Sequence, residues 1–385
     1  MQAKLLTRID KGGIKMSRAL GLIFSNIHDD NVPELTAKRT VASIPFCGRY
    51  RLIDFALSNM VNSSIAKVGI ITKSNYQSLM DHIGSGKDWD LARHYGGLYI
   101  LPPFGVLENN SLYTTRLEAL KNVIGFLSKS TEDYVVMSDS DMVCNINFKP
   151  IIKKHVESGA TITCVYVDKK RSSVVGKSNA FMSVDENGIV TDLAFDSKDE
   201  DVKLYTNICV VERRMLINLI GEAISHGKRH FLKDVVIHEI KTGRVNAYKH
   251  DGYYEEITSL GKYYEESMRF LNKETREEVF RKANVYTKVK DSAPTKFGEN
   301  AVSKNSLIAD GCQIEGEVYN SIIFRGVKVG RGTVVKNCIL MQNTITGENI
   351  TLNCVIADKN VVIKDGRNLS GHETHPFFLS KGTVI

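Results

Sequence analysis

The amino-acid sequence predicts an α/β domain on a mixed or parallel sheet, followed by a C-terminal left-handed parallel β-helix of hexapeptide repeats. Three observations predict it. Residues 16–270 alternate short β-rich runs with helical segments. From residue 300 onward a phrase of Asn, a small residue and two aliphatics returns at near-constant spacing. The chain of 385 residues is also long enough for two cores rather than one.

Residues 1–15 carry no apolar stretch of the kind a secretory signal needs. Lys11-Gly12-Gly13-Ile14-Lys15-Met16 is the translation a purine-rich ribosome-binding sequence would give, so residues 1–15 are expected to be disordered or a translated leader. The first strand is Ala19–Phe24. Val68–Thr72, Tyr134–Met137 and Thr161–Val167 are short β-rich runs that fit buried parallel strands. Arg116–Ser128 and Lys149–Ser158 have helical texture between them, and the charged segment Tyr264–Lys282 reads as a closing helix. The recurring phrase then appears at Asn305, Asn320, Asn337 and Asn353, spaced by 15, 17 and 16 residues. Aliphatics step by six within the coils, as at Val302, Ile308 and Ile314, and glycines mark the turns. That repetition is the signature of stacked β-helix coils sharing one continuous core. The domains are accordingly placed at 16–288 and 289–385.

Composition excludes several classes. The chain is 42% apolar and 25% charged, ordinary for a globular protein. No apolar run reaches the roughly 20 residues of a membrane-spanning helix. Of the formal charge of +7, residues 1–15 contribute +3, so the bias left over is too weak to imply nucleic acid. The seven cysteines form no CxxC pair, which fits buried apolar side chains in a reducing, cytoplasmic setting rather than disulfides or zinc.

Several phrases carry a resemblance. Ala19–Phe24 leads into Leu35-Thr36, Arg39, Pro45-Phe46 and Gly48-Arg49-Tyr50-Arg51; Arg49–Asn62 reads RYRLIDFALSNMVN and Ala293–Phe297 reads APTKF. These resemble ADP-glucose pyrophosphorylase (glucose-1-phosphate adenylyltransferase) over nearly the whole chain after residue 18. Gln77–Lys87 and Gly96–Phe104 resemble the regulatory GlgD-type branch of that bacterial family most closely. The resemblance implies a Rossmann-like nucleotidyltransferase domain before the β-helix.

Adenylyl transfer needs a backbone N–H cradle for phosphates, Arg or Lys on the triphosphate, and carboxylates that hold Mg2+. The family's glycine-rich loop is here Ser25-Asn26-Ile27-His28-Asp29-Asp30, with no glycine between Gly21 and Gly48, and Val41 stands where the family has a lysine. A carboxylate about 5 Å from a phosphate costs roughly 3 kcal/mol at an effective dielectric of about 20. His28-Asp29-Asp30 is therefore expected to be a solvated loop and not a metal site. The resemblance places a possible magnesium pair at Asp141 and Glu256, with Asp139 as an alternative to Asp141, and a possible sugar-phosphate lysine at Lys198. The segment Thr114–Ala119 and the strand around Asn207 also depart from the family's pattern.

What survives is basic. Lys38, Arg39, Arg49 and Arg51 could hold a phosphorylated-sugar effector. The resemblance thus implies a catalytically weak or inactive subunit in glycogen synthesis, assembling with a catalytic glucose-1-phosphate adenylyltransferase subunit, as a tetramer. The alternative is an autonomous nucleotidyltransferase with a remodelled loop. A hexapeptide acyltransferase would want a histidine on the coils, and none lies between 299 and 370; a glucan-binding scaffold would want more than Trp89.

Overall fold

Among the described residues, nine strands assemble the first domain's sheet: β1 (Ala19–Phe24), β2 (Lys67–Ile71), β3 (Gly97–Leu101), β4 (Tyr134–Asp139), β5 (Ile162–Lys170), β6 (Phe181–Val184), β7 (Val190–Ala194), β8 (Asp201–Glu212) and β9 (Val245–Lys249). The computed structural model describes residues 18–103, 112–176 and 179–385. The expected leader at 1–15 and Phe104 of the GGLYILPPF phrase lie outside the described residues. Strand order is β7-β6-β8-β4-β1-β2-β3, with β5 on β8 and β9 on β5. β4, β1, β2 and β3 are parallel neighbours, in register through Gly21↔Val68, Leu22↔Met137 and Ile70↔Ile100. Apolar runs such as LGLIF in β1 are covered on both faces, which is why they read as continuous rather than alternating.

The long strand β8 runs antiparallel to both β4 and β5, so the sheet is mixed. The parallel reading of Thr161–Val167 is corrected here: β5 is parallel only to β9. Two expected helices are each broken in two. Arg116–Asn122 is followed by Ile124–Lys129, and the closing segment splits into Leu260–Arg269 and Lys273–Phe280. The second break falls where Asn272 caps the next helix by accepting from the Glu274 N–H at 2.9 Å.

The second domain contains three parallel sheets of five short strands each, one strand per coil per sheet. Its core is stacked aliphatics, including Ile314, Val329, Val335, Leu352 and Ile363. The recurring Asn has a backbone reason. Asn305, Asn320 and Asn337 hold φ of 45°, 44° and 53°, the left-handed region in which Asn is tolerated at corners. Their amides also bridge coils, Asn305 to Asn320 at 2.8 Å and Asn337 to Asn353 at 3.0 Å. In the fourth phrase the left-handed residue is Cys354. Gly330 is required for a different reason: a Cβ there would lie 2.1 Å from the Gly347 carbonyl oxygen.

The domains share one apolar cluster. Val41, Ile44, Phe46 and Phe55 pack with Tyr263 and Phe270 of the closing helix and with Ile322, Phe324, Ile339 and Ile356 of the β-helix. Phe46 meets Phe55 and Phe270 edge-on at 5.8 and 5.1 Å. Into this contact goes a buried ion pair: Arg39 Nη2 donates to both carboxylate oxygens of Asp358, at 2.8 and 2.5 Å, and both side chains are 3% exposed. All seven cysteines are free and buried, as expected. Among the described residues, no helix is long and apolar enough to cross a membrane.

Removing one member of a buried ion pair leaves the other charge uncompensated, at a cost of about 3–5 kcal/mol. Arg39→Ala and Asp358→Ala should each lower the thermal midpoint sharply. The apolar double replacement Arg39→Met with Asp358→Leu should recover much of that loss in the same melting experiment.

Candidate functional site

The carboxyl ends of β1 and β4 lie side by side, where ligands sit in open α/β sheets. The loop after β1 is the first wall. Its polar groups tie it to neighbouring segments. Ser25 donates through N and Oγ to the Ile71 carbonyl at 3.1 and 2.8 Å, and Asn26 Oδ1 accepts from the Tyr113 hydroxyl at 3.0 Å. Asp29 Oδ1 accepts the Val41 N–H at 2.7 Å, and burial pushes its carboxyl up to about 7. The loop is thus anchored by side-chain bonds to its surroundings, and it lacks the glycines that let a backbone approach phosphate closely.

His28 points inward, which corrects the solvated-loop expectation. Its Nε2 lies 3.0 Å from Asp139 Oδ2, and its side chain is 15% exposed. Arg116 Nη2 donates to the same oxygen at 2.6 Å. The Arg116 guanidinium also sits 4.8 Å from the centre of the Phe24 ring, and its Nη1 donates to the Asn207 carbonyl at 3.4 Å. Burial opposes the charge on His28, yet Asp141 and Asp139 outweigh it and raise the imidazole to about 9. Burial likewise works against ionised Asp139, but Arg116 and His28 hold its carboxyl below the usual range. The result is a protonated His28, a cationic Arg116 and an anionic Asp139 locked together.

The Met142–Cys144 strand pairs with Tyr254–Glu256, which sets Glu256 opposite Met142 and near Asp141. Burial comes first in raising both carboxyls. Asp141 goes up, and Glu256, next to Asp141, reaches about 7. Glu256 Oε1 accepts the Tyr254 hydroxyl, which also donates to the Thr206 carbonyl. Glu255 pairs with Lys169 at 2.5 Å and Lys262 at 3.4 Å.

These residues do not fit the magnesium ion that the resemblance implies. Mg2+ is held by ionised carboxylate oxygens at about 2.0–2.1 Å in near-octahedral geometry. Here Asp139 Oδ2 is taken by His28 and Arg116, and Glu256 Oε1 by Tyr254, so these carboxyl oxygens are already spent on neighbours within the chain. Among the described residues no group of three or more His, Cys, Asp or Glu is arranged to hold a metal ion.

Beside this network opens a cleft of ≈ 380 Å³, lined by His28, Thr115, Arg116, Phe195, His230 and Lys233 among others. Lys233 Nζ rests 4.8 Å from the centre of the Phe195 ring. Lys198 lies on an exposed turn and does not line this cleft. His230 and Lys233 escaped the sequence reading, having no periodicity to flag them. Arg116 carried a signal: Thr115 and Glu118 form a capping box, which makes Arg116 the first helical residue at the mouth of the cleft.

Of the four basic residues expected to act together, Arg39 and Arg51 lie within electrostatic reach of one another. Arg39 is consumed by Asp358, and Lys38 and Arg49 are exposed. Arg51 Nη1 donates to the Ser78 carbonyl at 2.5 Å and hydroxyl at 3.0 Å. Arg51 has a neighbour that sequence reading missed, Lys359 of the β-helix. Burial, then Arg51 and Arg39, push the Lys359 amine down to about 6.

The raised Glu256 carboxyl has a pH consequence. Its pKa goes from 4.5 to about 7 on folding, so the folded state binds the extra proton between these values. Stability should therefore fall as pH rises through that window and stay low above it. Glu256→Gln should flatten this part of the profile and gain most at pH 8, measured by chemical denaturation at a series of pH values.

Comparison with known proteins adds the following. A family model described as nucleotidyl transferase matches residues 32–273, and one described as GlmU-like, C-terminal hexapeptide matches 292–376, which fits a left-handed β-helix. The chain is 36% identical over 370 residues to the glycogen biosynthesis protein GlgD of Bacillus subtilis, covering 96% of this chain and 97% of that one. It is 34% identical to GlgD of Geobacillus stearothermophilus, with the same coverage. It is 30% identical to the glucose-1-phosphate adenylyltransferase of Fervidobacterium nodosum, covering 93% of this chain and 87% of that enzyme.

Proposed function

The chain belongs to the nucleotidyl transferase family, in the group that holds the GlgD proteins and glucose-1-phosphate adenylyltransferases, and from that premise we propose that it is a regulatory, catalytically weak or inactive subunit of glucose-1-phosphate adenylyltransferase. In this reading it acts in cytoplasmic glycogen biosynthesis. There it assembles with a catalytic subunit, as a tetramer, and raises that subunit's activity or changes its effector response.

One observation carries the proposal. The place where phosphate and metal would be handled is filled by the chain's own His28–Asp139–Arg116 network. Catalysis of phosphoryl and nucleotidyl transfer is mostly positioning and charge neutralisation, so a site already neutralised from within has little left to offer a triphosphate. The intact interdomain contact supports retention of a folded partner subunit. For the effector, the reading narrows the four basic candidates to Arg51, joined by Lys359: both are half-buried, and a phosphorylated anion between them would favour the charge on the Lys359 amine that burial and Arg51 now suppress.

The assay is ADP-glucose formation by this chain alone, by a catalytic subunit alone, and by the two co-expressed. We expect no appreciable turnover from the first and more from the mixture than from the second. With a panel of phosphorylated hexoses, Arg51→Ala and Lys359→Ala should blunt the response of the mixture. Robust turnover by the isolated chain that Asp141→Asn abolishes would overturn the reading.

A further inference from the structure

We propose that His28 and Arg116 stand in the place of a divalent cation, so that this cleft is neutralised by the chain itself and functions without metal. Three carboxyl groups lie within electrostatic reach of one another here: Asp139 at the end of β4, Asp141 two residues on, and Glu256, paired opposite Met142 on the neighbouring strand. A carboxylate buried here needs a counter-charge, because an unpaired buried charge is costly. A metal ion would supply it through several oxygens at once. Here the counter-charge arrives through directed hydrogen bonds, from His28 Nε2 at 3.0 Å and Arg116 Nη2 at 2.6 Å, both onto Asp139 Oδ2.

Both donors are fixed from outside the cluster. Arg116 is held at the start of its helix, over the Phe24 ring and against the Asn207 carbonyl. His28 is held by the short turn that Asp29 closes onto Val41. The other oxygen of Asp139, Oδ1, is buried and has no hydrogen-bond partner among the described residues. Such an atom is costly to leave bare, and it marks the part of a coordination shell that two organic cations do not complete. An ordinary buried ion pair would also join His28 to Asp139, but taking it apart would create no affinity for metal. That difference is measurable.

The probe is Mn2+, titrated into the full chain while the free-ion signal is followed by electron paramagnetic resonance. Wild type should leave Mn2+ largely free. His28→Ala should bind it about tenfold or more tightly than wild type, since it removes one close positive charge from a carboxylate cluster. Adding Asp141→Asn to that variant should abolish the gain. Circular dichroism melts check that each variant is folded, and His28→Gln, smaller in its disturbance, serves if the alanine variant is not. A wild-type chain that binds Mn2+ as tightly as the variants overturns the proposal, and so does a folded variant that gains nothing. The readout is taken on the isolated chain, so failure of the regulatory reading would leave this inference standing.

Discussion

One segment, from the end of β1 to the start of the helix Leu52–Asn62, has to satisfy two domains at once. Its first residues close the cleft through His28 and Asp29; its middle sends Arg39 into the β-helix to meet Asp358; its end packs Ile44 and Phe46 under the closing helix. Charge buried at 3% exposure does not tolerate a changed partner, so the position of this segment is set from both sides. The site geometry follows from that constraint. His28 reaches Asp139 because Asp29 is tied to Val41, and Val41 belongs to the interdomain cluster.

Much of this was legible in the residues. The coil architecture could be read from the Asn phrase because the physical demand is local: a left-handed corner and an amide that bridges to the next coil. The missing glycines were equally plain. What sequence could not show was direction. Arg39 and Arg51 sit in one basic stretch, yet one is spent on Asp358, distant in sequence, and the other faces Lys359. His28 looked like a loop residue among aspartates because its partner is 111 positions away. The long antiparallel strand β8, which makes the sheet mixed, alternates too weakly to declare its orientation; only its pairing with β4 and β5 does.

The cleft and the contact between domains differ in how they treat charge. Between the domains one cation meets one carboxylate in an otherwise apolar setting. In the cleft the balance is spread over two cations and three carboxyl groups, of which Asp141 and Glu256 lean toward the neutral form because burial outweighs their neighbours. This is an arrangement suited to holding shape. A nucleotidyl transferase fold has kept its frame here while the groups that would face a triphosphate face one another.

The β-helix is a one-dimensional stack, and its anchoring is uneven. The α/β domain grips it at interior coils, through Ile322, Ile339, Ile356 and Asp358, with the Tyr264 hydroxyl donating to the Asn337 carbonyl at 2.7 Å. The opening coil, with strands Lys296–Phe297, Val302–Lys304 and Leu307–Ile308, has a neighbour on one side only in each sheet. The closing coil, with strands Val362–Ile363, Asn368–Ser370 and Phe377–Leu379, is an end in the same sense, and in a stack whose stability is a sum of nearest-neighbour terms loosening begins at these two ends, each tied to the interdomain cluster by one half-buried side chain, Leu307 or Phe378. The interior coils form a single thermodynamic unit with the first domain, and the two end coils are partly independent ends that can exchange with solvent while the rest stays closed.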